Sequence, residues 1–269
     1  MSERLRTIAR HVQARANESS TGMRRRAFAL AIGFTLSAHL VDAQEPDPAT
    51  EATRSLLSKE NDIAASFIQA IVANGFRPTV APPRIVIRSD PRLSVFLGLP
   101  ADTVIIGQWE LMPPMMKEAI GQLSPIAGFG TDGQLFFETA FHKFFLVHEI
   151  GHWVQAQGEV LSKPTIPYPL NRYAFELEAN RLALAYWRAT DTAYATRITD
   201  AFRRVYAAMP NPVPAGQSVS TYFTNNYVAL GRTPAYAWFQ ARLIVEAADE
   251  SPAPSLAQLL AEVGALPYR

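Results

Sequence analysis

Hydrophobic and polar positions along this chain alternate first with helical, then with strand, then again with helical spacing. In "EATRSLLSKENDIAASFIQAIVANG", Leu56, Leu57, Ile63, Phe67 and Ile71 recur at helical intervals, and Gly75 stands where a glycine commonly closes a helix. The next stretch, "PPRIVIRSDP", alternates Ile85 and Ile87 with arginines between prolines, which predicts a strand. A second β-branched run lies in "DTVIIGQWELMPP", residues 102–114, and its residues 103–108 are a candidate strand for pairing with an extended peptide. "MMKEAIGQL" reads as one or two helical turns. "AGFGTDGQ" reads as a turn, because its glycines lack phosphate-binding spacing and no Lys-Ser or Lys-Thr follows.

From Thr139 to Gln157 the pattern is helical and strongly apolar. A proline-rich loop, "SKPTIPYPL", separates it from a second helix, "NRYAFELEANRLALAYWRAT", for which Asn171 is a suitable N-cap. Helices follow in "DTAYATRITDAFRRVYAAM", "TPAYAWFQARLIVEAADE" and "SLAQLLAEV". A few strands ahead of a run of helices predict an α+β domain, mostly helical toward its C-terminus.

Composition changes the picture at the N-terminus. Residues 1–43 hold seven arginines against Glu3, Glu18 and Asp42, so the remaining chain carries a formal charge of −3 although the whole is +1. That balance does not suggest a nucleic-acid face. "MRRRAFALAIGFTLSAHLVDAQ" has a basic start at Met23, an apolar stretch over residues 27–41 and small residues ending at Ala43. This order predicts a signal peptide with an N-terminal extension over residues 1–43, the true start being Met23 in one version. The expected product is an exported protein, periplasmic or extracellular, with one domain over residues 44–269. The apolar stretch falls short of the roughly 20 residues that span a bilayer, so no stable membrane span is expected after cleavage.

The chain has no cysteine. Thiolate ligands, disulfides and cysteine nucleophiles are thereby removed, leaving His, Asp and Glu as strong metal ligands. Against that background "FLVHEIGHWVQ", residues 145–155, carries the candidate chemistry. Residues four apart share a helix face, so His148 and His152 can converge on one ion. Glu149 is rotated by about 100° beside them, where a carboxylate can take a proton from water. Phe144, Leu146, Val147, Ile150, Trp153 and Val154 surround the polar triplet, so the helix is expected to be buried. Unpartnered imidazoles and a carboxylate there would cost several kcal/mol. His142 falls off this face and reads as a surface or capping histidine.

A third ligand is needed for zinc in a catalytic site. No histidine follows His152, and the metzincin continuation fails because Gln155 and Gly158 stand where Gly and His would be required. Among downstream carboxylates, only Glu176 and Glu178 lie within a strongly apolar helix; Glu178 also has Arg181 three residues on as a possible partner.

"HEIGH", followed 24 residues after its second histidine by "ELEAN", resembles the gluzincin zinc peptidases, most closely the ImmA/IrrE-like and HtpX-like patterns. The resemblance covers roughly residues 138–188. It implies a zincin-like domain, one Zn²⁺ held by His148, His152 and Glu176, and Glu149 as the catalytic base. It further implies Asn180 as the residue orienting a ligand histidine. A peptide or protein substrate would be cut by water activated at the metal. Tyr227, Tyr236 and Arg242 are candidates for stabilising the oxyanion, by position alone. A non-catalytic, zinc-containing protein that binds a peptide or partner is the alternative expectation.

Overall fold

The computed structural model describes residues 50–88, 95–98, 102–157, 171–231 and 233–265, all within one compact unit. The expected signal peptide, Met23 and the proline-rich loop 161–170 lie outside the described residues. The described fold is α+β, with many helices and one small sheet.

Helix α1, Glu51–Ala73, starts at Thr50, whose side chain accepts from the Thr53 amide. It ends just before Gly75, whose φ of +98° is open to glycine at little cost. Three short strands follow: β1 (Arg84–Ile87), β2 (Val95–Gly98) and β3 (Thr103–Ile106). Their order is β1-β3-β2, with β1 parallel and β2 antiparallel to β3. The β-branched run expected to receive a peptide along its edge is therefore the central strand. Both its edges are already hydrogen-bonded, and Val104, Ile105 and Ile106 are buried. Strand β2 belongs to a segment whose pattern predicted no strand, and its Leu97 N–H is taken by the Glu149 side chain.

After a 3-10 turn at Trp109–Leu111, helix α2 runs over Pro114–Ala127, longer than the one or two turns expected. The glycine-rich turn is shorter than expected. Helix α3, Gly133–Thr139, already begins at its third glycine, with the Asp132 side chain accepting from the Leu135 amide at 2.8 Å.

The apolar stretch expected as one continuous helix is interrupted. A π-helical segment, Ala140–Phe145, precedes helix α4, Leu146–Gln155. The wide turn accommodates a dense aromatic cluster. Phe137 stacks on Phe141 at 5.2 Å between centroids, and Phe145 meets Phe202 edge-on at 5.7 Å. Every residue of α4 except Glu149 is buried.

Helix α5, Arg172–Thr190, is capped by Asn171 as expected, its side chain accepting from the Ala174 amide at 3.1 Å. The remaining helices are α6 (Thr192–Ala208), α7 (Val219–Leu230), α8 (Ala235–Ala248) and α9 (Leu256–Ala265). Helix α4 lies against α5 on one side and against β2 and β3 on another. The two helices meet at Gly151, where a Cβ would stand in ordinary contact, 3.5 Å from the Ala179 Cα. Helices α7 and α8 pack on α5 in turn. Helix α4 is thereby packed between the sheet and α5, with α7 and α8 on α5 in turn.

No described helix is long and apolar enough to cross a membrane.

Candidate metal centre

The i,i+4 spacing on α4 brings His148 and His152 side by side, their ring centroids 4.6 Å apart. Glu176 reaches them from α5. Its Oε2 lies 3.3 Å from His148 Nε2 and 3.7 Å from His152 Nε2, and one donor atom from each residue falls within 4.8 Å of the others. Among the described residues this is the one group of three or more potential ligands so disposed. Donors held about 2.1 Å from a tetrahedral ion stand roughly 3.4 Å apart, the size of the two carboxylate–imidazole separations here.

The donor chemistry also fits. His148 Nδ1 faces Asn180 Oδ1 at 3.1 Å, and the Asn180 amide nitrogen donates to the Glu176 main-chain carbonyl at 3.0 Å. His152 Nδ1 faces Gln155 Oε1 at 2.7 Å. In both rings the Nδ1 edge meets an oxygen acceptor, which leaves the Nε2 lone pair for a metal. The ring of Phe175 stacks on His152 at 4.5 Å and 13°. All three candidate ligands are buried.

Glu176 is held at both oxygens: Tyr227 Oη donates to Oε1 at 2.7 Å, and Gln240 Nε2 donates to Oε2 at 3.0 Å. Gln240 gives a further hydrogen bond to Tyr236 Oη at 2.8 Å. Burial acts to raise the Glu176 carboxyl, but the close imidazoles of His148 and His152 overcome it and hold the group well below the carboxylate range. Burial likewise opposes charge on His152, and the Glu176 carboxylate overrides it, raising the imidazole to about 9. The buried Glu176 carboxylate is the negative charge on which the two imidazoles converge, an arrangement that could hold a cation.

Glu149 reaches toward the sheet. Its Oε2 accepts from the Leu97 main-chain N–H on β2 at 2.9 Å. Burial raises its carboxyl most, the two histidines opposing. A carboxylate shifted upward beside a metal site has the affinity a proton acceptor needs.

Of the remaining sequence candidates, Tyr227 and Tyr236 belong to this cluster. Tyr227 is committed to a ligand oxygen, so its geometry is that of a residue orienting Glu176. Arg242 does not belong. Its guanidinium donates to Tyr173 Oη at 3.1 Å and Tyr206 Oη at 2.9 Å, and it pairs with Glu246. Glu178 accepts from Gln155 Nε2 at 2.7 Å, whereas Arg181 pairs with Glu250 and Glu262, so the expected Glu178–Arg181 partnership is replaced.

His142 is not on the surface. It is 5% exposed, with Nε2 against the Gly107 carbonyl at 2.8 Å and Nδ1 3.5 Å from Glu60 Oε1. The π-helical turn directs it inward, away from the three ligands but into the core.

Gln155, Gln240 and the orienting role of Tyr227 were not read from the sequence. Gln155 carried a signal, since it lies three residues beyond His152 on the same face. Gln240 carried a weaker one: an uncharged polar residue within "AYAWFQARLI". Compared with family models, curated proteins and solved structures, the chain yields no match in any of the three.

Proposed function

We propose that the protein is a zinc-dependent peptidase that hydrolyses peptide bonds with water activated at the His148–His152–Glu176 site. The reading rests on one observation: two Nε2 atoms and a carboxylate oxygen converge within 4.8 Å, with Glu149 adjacent on the same helix. A purely structural zinc site has no use for such a base. The resemblance of "HEIGH…ELEAN" to gluzincins, and a zincin-like classification of the α+β fold, belong to the same proposal. So does export, through the leader expected over residues 1–43.

Bound zinc supplies Lewis acidity and lowers the pKa of water at neutral pH. The chain's own residues do the rest. His148, His152 and Glu176 would hold the ion, with Asn180 and Tyr227 orienting His148 and Glu176. Glu149 takes the proton of the attacking water and passes it to the leaving amine. The Leu97 N–H fixes where that carboxylate waits. Surrounding burial excludes bulk water and strengthens each of these interactions.

The test is a peptide-library digest with the purified protein, with and without chelator, beside metal analysis. Cleavage that chelator abolishes and zinc restores is expected. Glu149→Gln should eliminate cleavage while retaining one zinc per chain. Zinc retained in a wild type that cuts nothing would move the protein to the non-catalytic, peptide-binding alternative.

A further inference from the structure

The amide of Gln155 has its orientation dictated from outside the metal site. Its nitrogen donates to two acceptors, the Phe175 main-chain carbonyl at 2.9 Å and Glu178 Oε2 at 2.7 Å. A main-chain carbonyl can only accept, so the nitrogen has to face that side. The amide oxygen is then turned to His152, 2.7 Å from Nδ1. An amide oxygen also only accepts, so Nδ1 carries the hydrogen and Nε2 keeps its lone pair for the metal. Gln155 is fully buried and Glu178 is 8% exposed, so solvent offers these groups little substitute. Losing a partner in such a setting is costly.

We propose that Gln155 is a positioning residue that sets the tautomer and ring angle of His152, and that Glu178 is the outer acceptor that keeps the Gln155 amide from flipping. The inference rests on the zinc reading of the site. It gives Glu178, the competing candidate for third ligand, a function two bonds removed from the ion. The two ligand histidines are then treated alike. Each is steered by a carboxamide whose nitrogen is anchored on a main-chain carbonyl of α5, Glu176 for Asn180 and Phe175 for Gln155. The steering groups touching the rings are neutral, and Glu178 reaches His152 only through the Gln155 amide.

The probe is zinc itself, its affinity measured by chelator competition on the full chain, with circular dichroism as the check on folding. Gln155→Leu is expected to weaken zinc about 10–100-fold, the usual cost of removing a residue that orients a ligand histidine. Gln155→Glu should weaken it comparably, because a carboxylate then faces Glu178 and the Phe175 carbonyl. The exchanged pair, Gln155→Glu with Glu178→Gln, restores a donor opposite an acceptor at position 178 while the Phe175 carbonyl stays without its donor, and should recover severalfold of the affinity lost in Gln155→Glu. In the zinc-loaded protein, the His152 Nδ1–H resonance should be present in wild type and in the exchanged pair, and lost from Gln155→Leu. An unchanged affinity in folded Gln155→Leu, or an exchanged pair no tighter than Gln155→Glu, overturns the proposal. If wild type binds zinc and shows the rescue yet cleaves no peptide, the peptidase reading fails and the positioning role stands. If wild type cleaves peptides and Gln155→Leu keeps full zinc affinity, the reverse holds. A wild type that takes up no zinc overturns both.

Discussion

Replacing Glu60 by glutamine removes an ionisable group from the interior at almost constant shape. Glu60 sits on α1 at 1% exposure; its Oε1 is 3.5 Å from His142 Nδ1, and its Oε2 has no partner. His142 Nε2–H donates to the Gly107 carbonyl, so Nδ1 is the acceptor toward Glu60. Burial first, and the charge of Glu138 second, raise the Glu60 carboxyl from 4.5 to about 8, with Lys59 opposing. Burial also lowers His142, so the pair is neutral at pH 7. Between pH 4.5 and 8 the folded protein therefore keeps a proton that the unfolded chain has released. Stability falls as pH rises through that window and levels off above it. The full change corresponds to roughly 5 kcal/mol, an upper figure because water reaching the ionised carboxylate relieves part of it. Glu60→Gln donates to His142 at every pH and lacks this dependence. Urea unfolding followed by circular dichroism at pH 5, 7 and 9 should give similar stabilities at pH 5. By pH 9 the variant should be ahead by several kcal/mol. Curves that run parallel from pH 5 to 9 would refute the reasoning.

Tyr227→Phe leaves Glu176 Oε1 without its hydroxyl donor, and should weaken zinc about fivefold to tenfold, matching the 1–1.5 kcal/mol of one hydrogen bond. Chelator competition reads this, and an unaltered affinity would remove Tyr227 from the site. Gly151→Ala places a Cβ in ordinary contact with Ala179, so helix propensity should win and raise stability by about 0.5–1 kcal/mol. Gly133→Ala meets Gly121 at 3.1 Å and Trp109 at 3.2 Å, and should gain less or lose; thermal unfolding of the two ranks them. Zinc at 100 times its dissociation constant should stabilise the wild type by about 2.7 kcal/mol and leave Glu176→Ala unmoved, which a thermal titration distinguishes.

Local spacing made part of the site legible. The i,i+4 histidines follow from helix periodicity and the Asn171 cap from its residue type, whereas Glu176 and Asn180 came from the resemblance to gluzincins; the structure brings His148, His152, Glu176 and Asn180 together. What escaped depends on tertiary contact. Tyr227 and Gln240 come from α7 and α8, more than 50 residues beyond Glu176, and nothing in their own segments points back to it. Helix α7 itself was not anticipated, nor was β2, whose short run "VFLG" is specified by pairing with β3. His142 was misjudged because a regular helical wheel was assumed across a π-helical turn. Its partner carried a readable signal: Glu60 shares a buried face with Ala64, Phe67 and Ile71 at helical intervals, where a solvated charge does not belong.

The π-helical turn at Ala140–Phe145 has a consequence for chain length. Such a turn is an α-helix with one residue spare, so excising a single amino acid there lets the rod close to regular geometry while both flanks keep their phase. The same excision between His148 and His152 would swing everything downstream by about 100° and separate the two imidazoles. Upstream of α4 the count of residues is negotiable by one; within it, the count is as strict as the identities.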